Sequence, residues 1–261
     1  TQSYRNLYLL EVQNLLGKQS YNLIEGEVTA LLQDGASVNG VRLTDGTEIK
    51  AKTVILTAGT FMRGTVHIGD KRLSAGRMGE RSADELSVQM ESLGATFGRL
   101  KTGTPPRLNG DTINWAGLEM QAADKDAVML SFMSEKPRVK QVDCGITHTN
   151  TKTHDIIREN LNRSAIYGGH IEGVGPRYCP SIEDKITRFS SKDSHQIFLE
   201  PEGLNSKSVY PNGISTSLPE DVQGQYVRSI LGLERVEILQ PGYAIEYDFL
   251  NPKGLSSDLE S

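Results

Sequence analysis

Between residues 21 and 60, apolar β-forming segments alternate with tight turn signals, and this pattern restricts the fold more than any other part of the chain. Residues 21–25 and 28–32 flank Gly26, Asp34-Gly35 is a hairpin signal, residues 38–43 follow, and Thr44-Asp45-Gly46-Thr47 turns the chain into residues 48–52. This meander feeds Thr53-Val54-Ile55-Leu56-Thr57-Ala58-Gly59-Thr60. A run that is apolar on both faces predicts a strand in the middle of a parallel sheet. The glycine at its C-terminal end allows close backbone approach, and ligands of open α/β sheets bind at that edge.

Helical spacing flanks this unit. Tyr4, Leu7, Tyr8, Glu11, Val12 and Leu15 predict an opening helix stopped by Gly17. Leu86, Met90 and Leu93 predict a second helix, with Ser82 and Glu85 as its capping box and Gly94 as its stop. Pro105-Pro106 can continue neither a helix nor a central strand, so an inserted domain is expected from there to about Gly232. Strands over residues 236–239 and 243–249 then return to the first domain. The expected architecture is α/β: residues 1–102 and 235–261 form one partial domain, and 103–234 form an inserted α+β domain. The chain opens without Met, in mid-helix, and stops soon after a strand, which reads as a piece of a longer protein.

With 28 Lys and Arg against 33 Asp and Glu, the net charge of −5 excludes a polybasic, histone-like chain. No apolar run reaches the roughly 18 residues of a membrane helix, and no signal peptide opens the chain. Two cysteines, Cys144 and Cys179, are too few for a secreted disulfide scaffold and predict a reducing, cytoplasmic compartment.

The stretch richest in chemistry is Tyr167-Gly168-Gly169-His170-Ile171-Glu172-Gly173-Val174-Gly175-Pro176-Arg177-Tyr178-Cys179-Pro180-Ser181-Ile182-Glu183-Asp184-Lys185-Ile186-Thr187-Arg188-Phe189. Four glycines fall within eight residues, and Ser181 with Asp184 forms a capping box that predicts a helix starting there. Cys179 thus precedes a helix start and lies near Arg177; both favour the thiolate and suit a nucleophile, against the alternative of a small buried cysteine. The glycines and helix start also make a nest for a phosphate-bearing ligand. Lys101 and Arg107 close a proline-stiffened loop suited to a phosphate or carboxylate, or else a solvated linker. Thr147, His148, Thr149 and Asn150 read as hydrogen-bonding groups of a polar loop. A zinc site from Cys144, His148, His154 and Cys179 fits no common spacing, so no metal is expected.

The meander and its apolar strand resemble the second half of two-dinucleotide-binding-domain flavoproteins, although the G-x-G-x-x-G turn is absent from this chain. Residues 98–107, 146–150, 171–189, 196–203, 210–219 and 240–248 together closely resemble the MnmG/GidA family. The resemblance implies a Rossmann-like FAD-binding domain (parallel sheet plus β-meander) interrupted by the inserted domain, which would be a nicotinamide and substrate domain. It implies an enzyme that uses NADH-reduced FAD and a one-carbon unit from methylenetetrahydrofolate. That enzyme installs an aminomethyl or carboxymethylaminomethyl group at C5 of the tRNA wobble uridine, as a homodimer working with the GTPase MnmE. It implies Val28 and Ser82 as flavin contacts, with Ala83 an equal alignment for the second, and Gly175–Phe189 as the nicotinamide segment. Cys179 becomes the catalytic cysteine, with a second important cysteine outside this chain, so that this chain alone is expected to be inactive. Lys101, Arg107, His148 and Asn150 are candidate substrate contacts. Composition alone does not point to RNA, since the charge is negative and aromatics are only 6%. A flavin-dependent oxidoreductase of a small carboxylate and a non-catalytic interaction module remain alternatives.

The two cysteines should differ in reactivity. Cys179 is expected to be alkylated faster than Cys144 near neutral pH, because thiolate fraction sets the rate. Equal rates, measured by mass spectrometry of labelled peptides, would remove the case for an activated Cys179.

Overall fold

The structure, a computed structural model, describes residues 5–35, 37–137, 139–175 and 180–258. It begins with α1 (Arg5–Leu16), β1 (Val28–Asp34), β2 (Ser37–Leu43) and β3 (Glu48–Lys50). Next come β4 (Thr65–Ile68), β5 (Lys71–Ser74), α2 (Asp84–Ser92), β6 (Phe97–Thr104), β7 (Arg107–Asn109), β8 (Glu119–Gln121) and β9 (Cys144–His148). The chain ends with α3 (Thr151–Glu159), α4 (Ile182–Arg188), β10 (Gln196–Pro201), β11 (Ser208–Asn212), α5 (Glu220–Val227), β12 (Ile238–Gln240) and β13 (Tyr243–Leu250). The strands form three sheets, ordered β1-β2-β3, β12-β7-β11-β10-β9-β8 and β5-β4-β13-β6.

The meander forms as an antiparallel sheet turned at Asp34-Gly35 and Asp45-Gly46. Its first strand packs on α2, whose Gln89 amide takes the place of a neighbouring strand. Gln89 Oε1 accepts from the Leu31 N–H at 2.6 Å, and Nε2 donates to the Leu31 carbonyl at 3.0 Å. Residues 21–25 and 53–60 are not strands. Among the described residues no strand pairs with 53–60 and every ladder is antiparallel; without a partner the backbone groups have no ladder to join. Ile55, expected in a sheet centre, is 85% exposed. The leucines of α1 are exposed as well. The capping box expected at Ser82 is also absent. Helix α2 starts at Asp84 with Ala83 in the N-cap position and no side-chain cap; Ser82 lies one residue outside that position and its Oγ donates to the Asp84 carboxylate.

The six-stranded sheet carries α3, α4 and α5 on its apolar face. Ile197 and Leu199 of β10 and Val209 of β11 point inward by strand alternation and meet Ile157, Ile182, Ile186, Val222 and Tyr226. The four-stranded sheet has one apolar face, with Val66, Ile68, Tyr243 and Ile245. Its other face carries charge.

The chain leaves the four-stranded sheet at Thr104 and returns to it at Tyr243, and these two residues are cross-strand partners. Gly242 lies so close to the outgoing strand that a Cβ there would stand 2.8 Å from the Thr104 carbonyl oxygen. Gln223 locks the crossing by donating to the carbonyls of Leu218 and Gly242 while accepting the Gly242 N–H. No helix among the described residues is long and apolar enough to cross a membrane.

Three histidines mark the packing, His67 and His154 buried and His195 half-buried. His67, His154 and His195 are all held below the ordinary value of 6.5, chiefly by burial. The Thr149 hydroxyl accepts the His195 backbone N–H at 2.8 Å and is hydrogen-bonded to His154 Nε2, also at 2.8 Å. Burial favours the neutral form of His154. Because the unfolded chain takes up protons first, stability held above pH 6.5 should be lost as the pH falls below it. His154→Gln keeps an acceptor for the Thr149 hydroxyl and does not titrate. Its melting temperature should fall less between about pH 7 and 5 than that of the parent; an identical fall would show that His154 does not contribute.

Candidate functional site

The charged face of the four-stranded sheet follows from strand alternation. In β13, Tyr243, Ile245 and Tyr247 face the apolar cluster, which turns Ala244, Glu246 and Asp248 to the opposite side. Register then sets Glu246 opposite Lys101 and Asp248 opposite Arg99 of β6. Arg99 Nη1 donates to Asp248 at 2.8 Å, and its Nη2 reaches Glu246 at 3.2 Å, so one guanidinium serves two buried carboxylates. Arg63 also bonds Asp248 and pairs with Glu91 at 2.8 Å.

Arg63 has φ +41°, and among the described residues it is the one non-glycine with positive φ. Such backbone costs on the order of 1–3 kcal/mol and persists only where neighbours fix it. Here two carboxylates hold the side chain, and Arg99 Nη1 donates to the Arg63 carbonyl at 3.0 Å. A cleft of about 530 Å³ opens beside them, lined also by Thr65, Ser74, Asp84 and Phe97. Ser82, expected to contact a ligand, bonds to two of these lining residues: Ser74 Oγ at 2.9 Å, and Asp84. Ala83, the equal alternative, donates its N–H to the Phe61 carbonyl at 2.8 Å. Val28 packs behind α2 with Met62, Leu86 and Met90.

The glycine-rich loop joins the free edge of β6 beside the same charged face. Val174 bridges Leu100 in parallel, with its N–H on the Arg99 carbonyl and its carbonyl receiving the Lys101 N–H, both at 3.2 Å. Upstream, the N–H groups of Glu172 and Gly173 donate to Glu246 Oε1 at 3.1 and 2.5 Å. Pro176, Arg177, Tyr178 and Cys179 lie outside the described residues, so the expectations for them stand on sequence alone.

Beyond Pro180 the predicted capping box forms. Ser181 Oγ accepts the Asp184 N–H and Asp184 Oδ2 accepts the Ser181 N–H, both at 3.1 Å. Helix α4 is only seven residues long, and its first amides are used internally, since the Ile182 N–H goes to the Ser215 carbonyl at 2.7 Å. The nest expected to hold a phosphate is thus largely filled by the chain itself at this end. Asp184 also receives the Tyr167 hydroxyl at 3.1 Å and lies 3.5 Å from Lys101 Nζ. Burial works to raise its pKa, but the Lys101 charge and the Ser181 bonds outweigh it and hold the carboxyl below its ordinary range. Its neighbour Glu183 is fully buried. Burial pushes its carboxyl up although Oε1 accepts from Ser217 N at 2.8 Å, Ser217 Oγ at 3.1 Å and Thr216 Oγ1 at 3.2 Å. Ile182 and Ile186 enter the core, and Lys185 Nζ donates to the Gly213 carbonyl at 2.7 Å. Thr187 Oγ1 closes back on the Glu183 carbonyl at 2.8 Å, whereas Arg188 and Phe189 are exposed.

The other sequence candidates do not converge on this face. Lys101 does, but it is paired with Asp184. Arg107 is engaged by Glu202 at 2.9 Å, Thr104 Oγ1 at 2.8 Å and the Pro105 carbonyl at 2.6 Å, and its guanidinium lies 4.4 Å from the Tyr210 ring centroid. The Lys101–Arg107 loop is therefore not an open anion clamp. His148 is exposed at the end of β9, and Asn150 caps α3 while its amide donates to the Ser229 carbonyl at 2.7 Å. Cys144 is half-buried, and its thiol is pushed up by burial and then by Glu200 and Asp143. Among the described residues no group of three or more His, Cys, Asp or Glu is placed to hold a metal ion.

Comparison with known proteins gives a consistent answer. The family model described as "Glucose inhibited division protein A" matches residues 1–261. Two curated relatives, from Pelobacter propionicus and Syntrophotalea carbinolica, are each named tRNA uridine 5-carboxymethylaminomethyl modification enzyme MnmG. They are 51% and 52% identical to this chain over all of its 261 residues, which span 42% of their length. The solved structure of Aquifex aeolicus GidA in its form I crystal superposes with a TM-score of 0.90 at 46% identity, over 97% of this chain and 44% of that one.

The box at the start of α4 can be tested by itself. Ser181→Ala should destabilise the protein by about 1 kcal/mol, the usual worth of an N-cap. The effect would appear as a lower urea midpoint at constant slope; an unmoved midpoint would show that the box carries no stability.

Proposed function

Since this chain belongs to the GidA family, we propose that the protein containing it is the flavoprotein subunit of a tRNA-modifying complex. Its reaction adds an aminomethyl or carboxymethylaminomethyl group to C5 of the wobble uridine, in the cytoplasm. The observation that carries this reading is the 51–52% identity to enzymes named MnmG, unbroken over all 261 residues. The finer assignments are FAD as resident cofactor, NADH as reductant, methylenetetrahydrofolate as one-carbon donor, a homodimeric state and a GTPase partner, MnmE. The resemblance of the loop, the crossing segments and β13 to that family supports them.

On this reading residues 1–102 and 235–261 belong to the FAD-binding domain and 103–234 to an inserted domain. The exit at Thr104 and return at Tyr243, side by side, support a single insertion. So does a core cluster running from Leu108 to Val236 without a residue of the four-stranded sheet; Val236 and β12, which pairs with β7 and not with the first domain as expected, extend that body past residue 234 to the return at Tyr243. The Val54-Ile55-Leu56 run, whose Ile55 and Leu56 are exposed and which leads to Gly59 with φ +57°, is proposed to be a Rossmann-type strand that pairs in the longer protein.

The cleft beside Ser82 suits an isoalloxazine. Arg63, Arg99, Asp84 and Glu91 line it, the two guanidinium groups already ion-paired, and Phe97 supplies an apolar wall. When bound, FAD would carry reducing equivalents from NADH to the one-carbon unit. This chain's residues would hold and orient it, while Gly175–Phe189 receives the nicotinamide and Cys179 acts as nucleophile toward the substrate. An oxidoreductase of a small carboxylate is not favoured, because the two cations that would clamp it, Lys101 and Arg107, already face Asp184 and Glu202.

Two substitutions in the whole protein test the assignment. Arg177→Ala should slow flavin reduction at subsaturating NADH by the equivalent of about 1.5–3 kcal/mol, the worth of a charge-assisted hydrogen bond. Cys179→Ser should abolish tRNA modification while leaving FAD content intact, since serine is a poor nucleophile without a base. An unchanged reduction rate argues against the nicotinamide segment, and an active, FAD-loaded Cys179→Ser enzyme ends the nucleophile role.

A further inference from the structure

We propose that residues 124–136 form a self-association surface, on which two copies of the protein meet antiparallel across a two-fold axis at Leu130. The inference rests on the homodimeric reading above and names the surface that would serve it. Residues 122–143 connect β8 to β9, and the residues at the two ends of this connection, Gln121 and Cys144, are cross-strand partners. A two-residue turn can join antiparallel neighbours, so the topology does not require a connection of this length, and long loops of compact domains commonly serve function. Its middle carries the most exposed large apolar side chains among the described residues. Val128, Leu130 and Met133 are each at least 86% exposed, and Phe132 is fully exposed.

Exposure alternates along the approach to the tip: Ala127 and Met129 are half-buried, whereas Val128, Leu130 and Phe132 face solvent. The tip itself is closed by hydrogen bonds. The Ser134 N–H donates to the Ser131 carbonyl at 3.1 Å, and the Met133 N–H donates to Ser131 Oγ at 3.2 Å. Phe132 and Met133 are therefore displayed on an ordered turn, which lowers the cost of docking them. A contiguous exposed apolar cluster marks a binding surface, and the charges on its flanks point to what covers it. Asp124, Lys125 and Asp126 precede it, Glu135 and Lys136 follow it, and all five are exposed. Three acids against two lysines leave no excess of cations for a nucleic acid or an anionic membrane. The order of signs is instead self-complementary. In an antiparallel pair centred on Leu130, Val128 meets the partner's Phe132, Lys125 meets the partner's Glu135 and Asp124 meets the partner's Lys136. The two-fold axis repeats each contact, so one segment supplies both halves of an isologous interface.

The test follows the monomer–dimer equilibrium of the whole FAD-loaded protein by analytical ultracentrifugation. Leu130→Asp sets two like charges face to face on the axis and should weaken the dimer about a hundredfold or more. Because Leu130 is exposed within its own copy, FAD content and the far-ultraviolet dichroism spectrum should remain those of the parent. Lys125→Glu, which then faces the partner's Glu135, should weaken the dimer about threefold to tenfold, and more at low salt than at high. Lys125→Glu combined with Glu135→Lys should restore the parent affinity, a rescue that requires the two positions to meet across copies. A Leu130→Asp protein that dimerises like the parent, or a double reversal as weak as the single one, overturns the proposal and leaves the homodimeric reading standing. A parent protein that stays monomeric at every concentration overturns both.

Discussion

One guanidinium, that of Arg99, bridges two carboxylates that the sheet buries, Glu246 and Asp248. Alternation along β13 forces both acids onto the same face, because the apolar positions between them are needed by the core. Once there, neither acid can remain buried alone, since the desolvation cost of an unpaired charge is several kcal/mol. The surrounding structure is arranged around this constraint. Arg63 is held in a left-handed conformation to complete the shell of Asp248, and the glycine-rich loop is drawn down to complete the shell of Glu246. The cleft and the docked loop are thus two consequences of one electrostatic requirement.

Local signals survived the passage from sequence to structure. The Asp34-Gly35 and Asp45-Gly46 turns, the Ser181–Asp184 box and the stops at Gly17 and Gly94 all occur where the sequence predicts them. Each depends on atoms a few residues apart. The expected strand at 53–60 depends instead on neighbours far away in sequence, and without a paired strand Val54-Ile55-Leu56 has nowhere to place its backbone bonds. The Ser82 box failed because the helix starts one residue later than expected, behind Ala83, which leaves Ser82 outside the N-cap position with its hydroxyl donated to the Asp84 carboxylate.

The charged face was legible in principle. Ala244-Ile245-Glu246-Tyr247-Asp248 is a period-two pattern of polar and apolar residues, and Arg99-Leu100-Lys101 has the same period with opposite charge. Two alternating segments of opposite sign predict antiparallel neighbours with charges across from one another. What sequence could not supply was the register that pairs Asp248 with Arg99, or the distance from β13 to a loop more than seventy residues upstream. Arg107 shows the converse: a cation in a stiff loop looks free in sequence, yet its stiffness aims it at Glu202 and the Tyr210 ring.

The glycines of the 168–175 loop carry the last step. Clustered glycines suggest a phosphate cradle because bare backbone amides can converge on an anion. Here the converging amides of Glu172 and Gly173 do bind an anion, but it is the protein's own Glu246. Only Gly169 needs a left-handed φ, at +77°, whereas Gly173 needs the space a side chain would fill. An internal carboxylate therefore occupies the position that a ligand phosphate holds in a nest, and it converts a loop that could have wrapped a ligand into one seated on the sheet. What the loop offers to a ligand must then come from groups other than the amides of Glu172 and Gly173.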